Sequence, residues 1–228
     1  MRVIIAGAGI GGLAAALSLH AAGITDVVVT ESLDRVRPLG VGLNLLPHAV
    51  RELTELGVAD ELAAQSVACA ELAYYNRFGQ RIWSEPRGLA AGYQWPQFSV
   101  HRGGLQMLLL AETVRRLGAG SVRTGHTVTE LDQTDDKVTV TFSHGARLTG
   151  DLLIGADGIR SRVRALFHPD EGPPPWNGLV LWRGVSAAPP FLSGRSMIMA
   201  GDGVEKFVAY PIREGVPIML PNFVSRSL

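Results

Sequence analysis

Gly7, Gly9 and Gly12 are spaced as G-x-G-x-x-G, and Glu31 follows 19 residues after the last of them. These residue types at this spacing suit the binding of a dinucleotide. Gly7 permits a tight strand-to-helix turn, Gly9 lets the backbone approach a pyrophosphate, and Gly12 lets the helix lie close against the strand. The N-terminus of that helix offers free N–H groups and a partial positive charge to phosphates. An acid near ~20 residues on can accept from ribose hydroxyls, and an acid rather than a base at position 31 argues against a 2′-phosphate. FAD and NAD both remain open on these residues. Glycine-rich turns also have purely structural uses, so the surrounding elements carry the reading.

Other candidates are weaker taken singly. Gly40-Val41-Gly42 brings two glycines around one valine, as a backbone lying close to a flat ligand would require, although an ordinary loop has the same composition. Arg102 stands at the start of a helix, where a cation opposes the helix dipole, so it requires a specific partner: a phosphate, a flavin edge or a surface carboxylate. Asp157-Gly158 is a common turn dipeptide, but it ends an apolar run that reads as a central, buried parallel strand, and α/β sheets bind ligands at such strand ends. Trp83, Tyr93 and Trp95 line a pocket or pack within a loop. No side chain stands out as a general base, so no catalytic residue is assigned.

Composition excludes several classes. The chain has 21 basic and 21 acidic residues and no long basic run, so nothing attracts nucleic acid or an anionic membrane. Cys69 is the single cysteine; an intrachain disulfide is impossible, and the histidines lack metal-ligand spacing, so no metal site is expected. The apolar stretch of residues 3–24 resembles a signal peptide, but it is rich in Gly and Ala and interrupted by Ser18 and His20. It reads as a core strand and helix, without a targeting or integral membrane segment, in a cytoplasmic protein.

The positioning elements follow from periodicity. Residues 2–6 and 26–30 read as strands around a helix over 13–22. Helices are expected over 47–58, 59–65, 105–117 and 159–167. Strands are expected over 71–76 and 80–84, as a hairpin turning at Phe78-Gly79, and over 121–124, 126–132 and 137–143. The stretch after Glu31, with Pro38 and the run Gly40 to Asn44, and the stretch 85–97 read as loops. The run 151–156 is nearly continuously apolar. Pro173-Pro174-Pro175 marks a boundary, after which strands are expected over 179–186, 195–200, 206–210 and 216–224.

Together these pieces resemble the FAD-dependent aromatic monooxygenases of the p-hydroxybenzoate hydroxylase type, and within them the phenazine-carboxylate monooxygenases. The resemblance is carried by VIIAGAGIGGLAAALSLHAAGI at 3–24, the acid at 31, RPLGVGLNLLPHAV at 37–50 and WSEPRG at 83–88. HRGGLQMLLL at 101–110, DLLIGADGIRSRVR at 151–164, WRGV at 182–185 and YPI at 210–212 complete it. It implies an α/β fold: a Rossmann-like, glutathione-reductase-like three-layer FAD-binding domain, with a partial antiparallel β-sheet substrate domain. The FAD-binding domain would comprise 1–70 and 97–176, with its C-terminal part missing, and the substrate sheet 71–96 and 177–228. Gly7, Gly9, Ile10, Gly11, Gly12 and Leu13 would cradle FAD, with Glu31 and Ser32 at the adenosine ribose and Val128 at the adenine. Val41 and Gly42 would lie near the isoalloxazine, Arg102 at the phosphate or ribityl region, and Asp157 and Gly158 would serve both FAD and NAD(P)H. Trp182, Arg183 and Tyr210 would line the substrate pocket.

The implied activity is hydroxylation of a small aromatic or phenazine-like substrate by oxygen, through a flavin hydroperoxide, with NAD(P)H as reductant. The family's later Gly-Asp motif, followed by Ala-Ala-His and a proline, has no match after Gly150-Asp151 or Gly201-Asp202. The chain therefore reads as the N-terminal portion of a longer enzyme, inactive or poorly active alone. An inactive FAD-binding fragment and another FAD-dependent oxidoreductase are the alternatives.

Overall fold

The computed structural model describes residues 1–213, together with the backbone of 218–219 and 222–226. The chain forms two compact units, one of Met1–Pro38 and Gln106–Pro174, the other of Leu39–Leu105 and Pro175–Leu228. Residues 39–70 and 97–105, grouped above with the nucleotide-binding segments, thus cluster with the second unit.

In the first unit, β1 (Val3–Ala6) is apolar and buried at every position, as a strand covered on both faces must be. It leads into α1 (Ile10–Ala21), which begins earlier than its periodicity suggests because the glycine turn itself supplies the first helical residues. Strand β2 (Val27–Thr30) returns parallel to β1, with Val3 opposite Val27. Beyond α4 (Arg102–Leu117), β8 (Val122–Arg123) extends the sheet on one side and β12 (Leu152–Gly155) pairs with β1 on the other. The order β12-β1-β2-β8 makes the gap between β1 and β12 the point where strand order reverses. Ligands bind α/β sheets in such crevices, at the carboxyl ends of the strands.

This order corrects one expectation. Among the described residues β12 stands at the edge of its sheet rather than at a buried centre, and Leu152 is 43% exposed. An apolar run cannot by itself distinguish an edge from a centre.

Alternating residues of β1 then face different layers. A Cβ on Gly12 of α1 would lie 3.3 Å from Ile5 Cγ2, so Ile5 faces the helix. Ile4 and Ala6 instead join Val128, Val140, Phe142 and Val163 in one core cluster. Those partners come mainly from an antiparallel sheet of β9 (Val128–Gln133), β10 (Val138–Phe142) and β11 (Arg147–Gly150). Helix, parallel sheet and antiparallel sheet give the three layers expected. Strand β11, unanticipated, is held by β10, whose Val138, Val140 and Phe142 point inward. Helix α5 (Arg162–Phe167) closes the unit.

The second unit holds a sheet of β3 (Gly42–Leu45), β7 (Gln97–His101) and β4 (Ser66–Cys69), all antiparallel. α2 (Pro47–Glu55), with proline in its first turn, and α3 (Ala59–Ala64) follow β3. All three strands lie where no strand was anticipated. β7 is central and buried on both faces, including polar Gln97 and Ser99, so it shows neither alternation nor an apolar run. A six-stranded sheet runs β13-β18-β16-β15-β5-β6. It joins β5 (Glu71–Asn76) and β6 (Arg81–Pro86) to β13 (Leu179–Arg183), β15 (Ser196–Gly201), β16 (Lys206–Ala209) and β18 (Asn222–Arg226). Short β14 (Ser186–Ala187) and β17 (Ile218–Met219) pair separately. The large sheet is mixed, because β15 lies parallel to β5 while its other pairings are antiparallel. A parallel pair needs a long crossover, and the chain between these strands supplies it. Part of the strand expected over 216–224 lies outside the described residues. Among the described residues, no helix is long and apolar enough to cross a membrane.

Candidate functional site

The turn between β1 and α1 has little freedom. Gly7 has φ +109°, and a Cβ there would lie 2.5 Å from the Ala156 carbonyl oxygen at the end of β12. A Cβ on Gly12 would lie 1.9 Å from the Gly7 carbonyl oxygen. Both positions therefore require glycine for the fold itself. Gly9 differs: beyond its own chain neighbours, nothing lies within 4 Å of a Cβ built there. It is the N-cap of α1, with no side chain capping the helix and no acid in its first turn. The N–H groups of Ile10, Gly11 and Gly12 precede the first helical bond, from Leu13 N–H to the Gly9 carbonyl at 3.0 Å, and are the donors a helix start leaves for an anion. The Leu13 side chain is fully buried in the core.

Two side chains brace this turn from opposite directions. Glu31, just beyond β2, accepts from Ala8 N–H at 3.1 Å, and its other oxygen accepts from Leu33 N–H at 3.0 Å and the Ser32 hydroxyl at 3.1 Å. Gln106, on α4, donates to the Ala8 carbonyl at 2.8 Å and is 8% exposed. Sequence reasoning missed Gln106. Its signal was a polar residue one step from buried Leu105 and two helical turns before buried Thr113, on the inward face of α4.

Asp157 lies just past β12, but its carboxylate is engaged. It accepts from the Ser161 hydroxyl at 2.5 Å and from the N–H groups of Arg162 and Val163 at 2.6 and 3.1 Å. It thus caps α5, which starts three residues later than expected because Gly158, at φ +80°, turns the chain first. The Val128 side chain is core, leaving only its backbone for a ligand. The structure therefore gathers residues 7–13, Glu31, Asp157 and Gly158 around the strand ends of the first unit.

In the second unit it gathers Val41, Gly42 and Arg102. Arg102 donates its N–H to the Val41 carbonyl at 2.7 Å and its guanidinium to the Leu39 carbonyl at 3.2 Å. Its partner is thus backbone, and no carboxylate pairs with it among the described residues. Gly42 opens β3 opposite His101, whose Nδ1 accepts from Gly104 N–H at 3.2 Å and so braces the start of α4.

Trp182 and Arg183 are exposed on β13, whereas Tyr210 is 5% exposed within the core of Cys69, Leu72, Met197 and Ile212. Burial pushes the Tyr210 phenol up, with the Arg183 charge opposing, which keeps it a neutral hydroxyl. Trp83 stacks on Tyr74 with ring centroids 5.7 Å apart. Tyr93 and Trp95 instead line an open groove of about 500 Å³ with Pro47, His48, Arg51 and Arg87.

The first-unit cluster can hold the pyrophosphate and ribose of FAD: the Gly9 position is open toward it, three N–H donors face it, and Glu31 stands beside the turn. FAD is also the cofactor that the comparisons with known proteins name. The FAD binding domain family matches residues 1–173. The phenazine 1,6-dicarboxylic acid hydroxylase of Lysobacter antibioticus is 46% identical over 216 residues, covering 92% of this chain and 53% of that protein. The FAD-dependent urate hydroxylase of Klebsiella pneumoniae is 34% identical over 196 residues, covering 79% of this chain and 48% of its own. The crystal structure of Klebsiella pneumoniae HpxO with FAD and uric acid superposes with a TM-score of 0.84 at 27% identity, over 100% of this chain and 57% of that one. The chain spans about half the length of the curated relatives it matches.

Proposed function

The chain belongs to the FAD binding domain family, and from that premise we propose that the whole protein is an FAD- and NAD(P)H-dependent monooxygenase hydroxylating a small aromatic, phenazine-like ring. The observation that carries the dinucleotide site is the braced turn, with Ala8 held through its N–H by Glu31 and through its carbonyl by Gln106, and the family match supports FAD as its occupant. That bracing fixes the direction of the Ile10, Gly11 and Gly12 donors before any ligand arrives, so little ordering entropy is spent on binding. Likeness to a phenazine hydroxylase and a urate hydroxylase supports a planar heteroaromatic substrate.

Gly7 to Leu13 would hold the FAD pyrophosphate, Glu31 and Ser32 the adenosine ribose, and the Val128 backbone the adenine. Val41 and Gly42 would lie along the flavin ring, with Arg102 at the phosphate or ribityl chain. Asp157 and Gly158 would act at the strand end shared by both nucleotides, Asp157 mainly by fixing α5. Bound FAD would supply the redox chemistry, accepting electrons from NAD(P)H and activating oxygen. The protein would position the ring and exclude water. Residues 1–70 and 97–176 would form the cofactor domain, and 71–96 with 177–228 the substrate domain. There Trp182, Arg183 and Tyr210 would supply stacking, a cation and a neutral hydroxyl to an aromatic carboxylate. The protein would work in the cytoplasm, where reduced nicotinamide is at hand.

Titrating FAD and NAD separately into the purified chain tests the assignment. FAD is expected to bind more tightly, and tighter binding of NAD would sink it. Stimulation of NAD(P)H oxidation by phenazine carboxylates, and not by aliphatic ketones, in the protein extended to its relatives' length tests the reaction.

A further inference from the structure

Three side chains on three strands of the second unit form one hydrogen-bonded line. The Ser99 hydroxyl on β7 donates to Asn44 Oδ1 on β3 at 2.6 Å. Cys69 Sγ on β4 lies 2.9 Å from the same hydroxyl. Strand register brings them together: Asn44 and Val67 both lie opposite Ser99, and Cys69, two residues beyond Val67, shares their face. Gln97 is on that face too, and it donates to Met197 Sδ at 3.4 Å. The face therefore looks onto the core that contains Met197 and Tyr210. Ser99 is fully buried and Cys69 is 2% exposed.

A hydroxyl carries a single proton. With that proton given to Asn44, Ser99 can only accept from Cys69, so the thiol is the donor and the line runs in one direction. It ends at an amide whose oxygen is occupied. The Asn44 NH₂ group has no hydrogen-bond partner among the described residues, and Asn44 is half-buried, on the same face as Gly42. Such an arrangement fixes an otherwise flippable amide and leaves its two N–H donors without a protein partner among the described residues.

We propose that Asn44 is a ligand-orienting donor: its NH₂, held by Ser99 and Cys69, donates to an oxygen acceptor on a planar aromatic ring bound by the second unit. This inference rests on the monooxygenase reading above. A flavin pyrimidine carbonyl and a substrate carboxylate share that chemistry, and separate measurements tell them apart. In the reversed line, Asn44 would donate to Ser99 and Ser99 to Cys69, and the amide would present its carbonyl and a single remaining N–H in place of two free donors.

Two measurements on the purified chain test the proposal. The sequence holds one cysteine, so the infrared S–H stretch is a single assignable band. It is expected at the lowered frequency of a hydrogen-bonded donor, and to rise in Ser99→Ala. A free-thiol frequency in the unmodified protein would overturn the direction and with it the proposal. The second measurement titrates FAD and phenazine-1,6-dicarboxylate separately. Asn44→Asp keeps the acceptor for Ser99 but removes the NH₂, and Asn44→Leu removes it without adding charge. Both are expected to weaken the same ligand at least about tenfold, and the ligand affected identifies the acceptor. Unchanged affinity for both ligands, when the unmodified chain binds either one, defeats the role of Asn44 alone. Failure of the unmodified chain to bind either defeats the functional reading and the donor role together.

Discussion

Gln106 Nε2 donates to the Ala8 carbonyl at 2.8 Å, across 98 residues of sequence and inside the core of the first unit. It joins the long helix α4 to the middle of the glycine turn between β1 and α1. Ala8 is itself fully buried, so this carbonyl has no water to turn to when the glutamine is absent.

Gln106→Leu, of similar size, is therefore expected to destabilise the chain by about 1–3 kcal/mol, the cost of leaving one buried acceptor unmet. FAD affinity should fall with it, because the turn loses one of its two braces. Denaturant unfolding and a flavin titration check this; an unchanged midpoint and Kd would show that the bond is dispensable.

Gly9 and Gly12 should separate folding from binding. A Cβ at Gly12 of α1 meets the Gly7 carbonyl at 1.9 Å, and Gly7 is itself tied to the sheet through its N–H, which donates to the Thr30 carbonyl at 2.7 Å. Gly12→Ala is expected to prevent folding or to lower the melting temperature steeply. Gly9→Ala meets nothing beyond its own chain neighbours and has an ordinary extended backbone. Its stability should stay within about 1 kcal/mol of the original, while FAD binding weakens at least about tenfold as the new methyl holds the pyrophosphate off. Equal effects of the two substitutions on melting would contradict this division.

Asp157→Ala should act through α5. The carboxylate accepts from two backbone N–H groups and the Ser161 hydroxyl, so its removal costs about 0.5–2 kcal/mol, as lost helix caps do. Asp157→Asn, which keeps an acceptor, should recover part of that. Hydrogen exchange at Arg162 and Val163 reports the effect directly, and protection unchanged in Asp157→Ala would argue against the cap.

Glu112 gives the chain an acid-dependent contribution. Hydrogen bonding from Arg115, with further help from Arg116, lowers its carboxyl from 4.5 to about 2 against a smaller opposing effect of burial. In the unfolded chain it takes up its proton near its ordinary value. The stabilisation is therefore complete above about pH 4.5 and disappears as the pH falls toward 2. Glu112→Gln should lower stability at neutral pH by at most about 1 kcal/mol, since this is a helix-surface pair. The gap between the two proteins should close on acidification, and melting curves across that range would reveal a gap independent of pH if the ion pair is not its source.

Local sequence determined the first strand, glycine turn and helix, because each depends on neighbours a few residues away: an apolar run, glycines where a Cβ would strike the adjacent turn, and a helix-forming stretch of alanines and leucines. The same holds for β10, whose valines and threonines alternate with the pleat, and for the placing of Glu31 at the end of β2. Tertiary structure alone decided the pairing of β5 with β15, the edge position of β12, and the strands β3, β4 and β7. It also decided that Gln106 reaches Ala8 and that Cys69, Ser99 and Asn44 fall into line. These contacts join segments far apart in the chain, and a strand buried on both faces, or a polar residue satisfied by a distant partner, has no periodicity of its own. Their cost in chain entropy is met only when the whole core closes, so no short window of residues carries their signal.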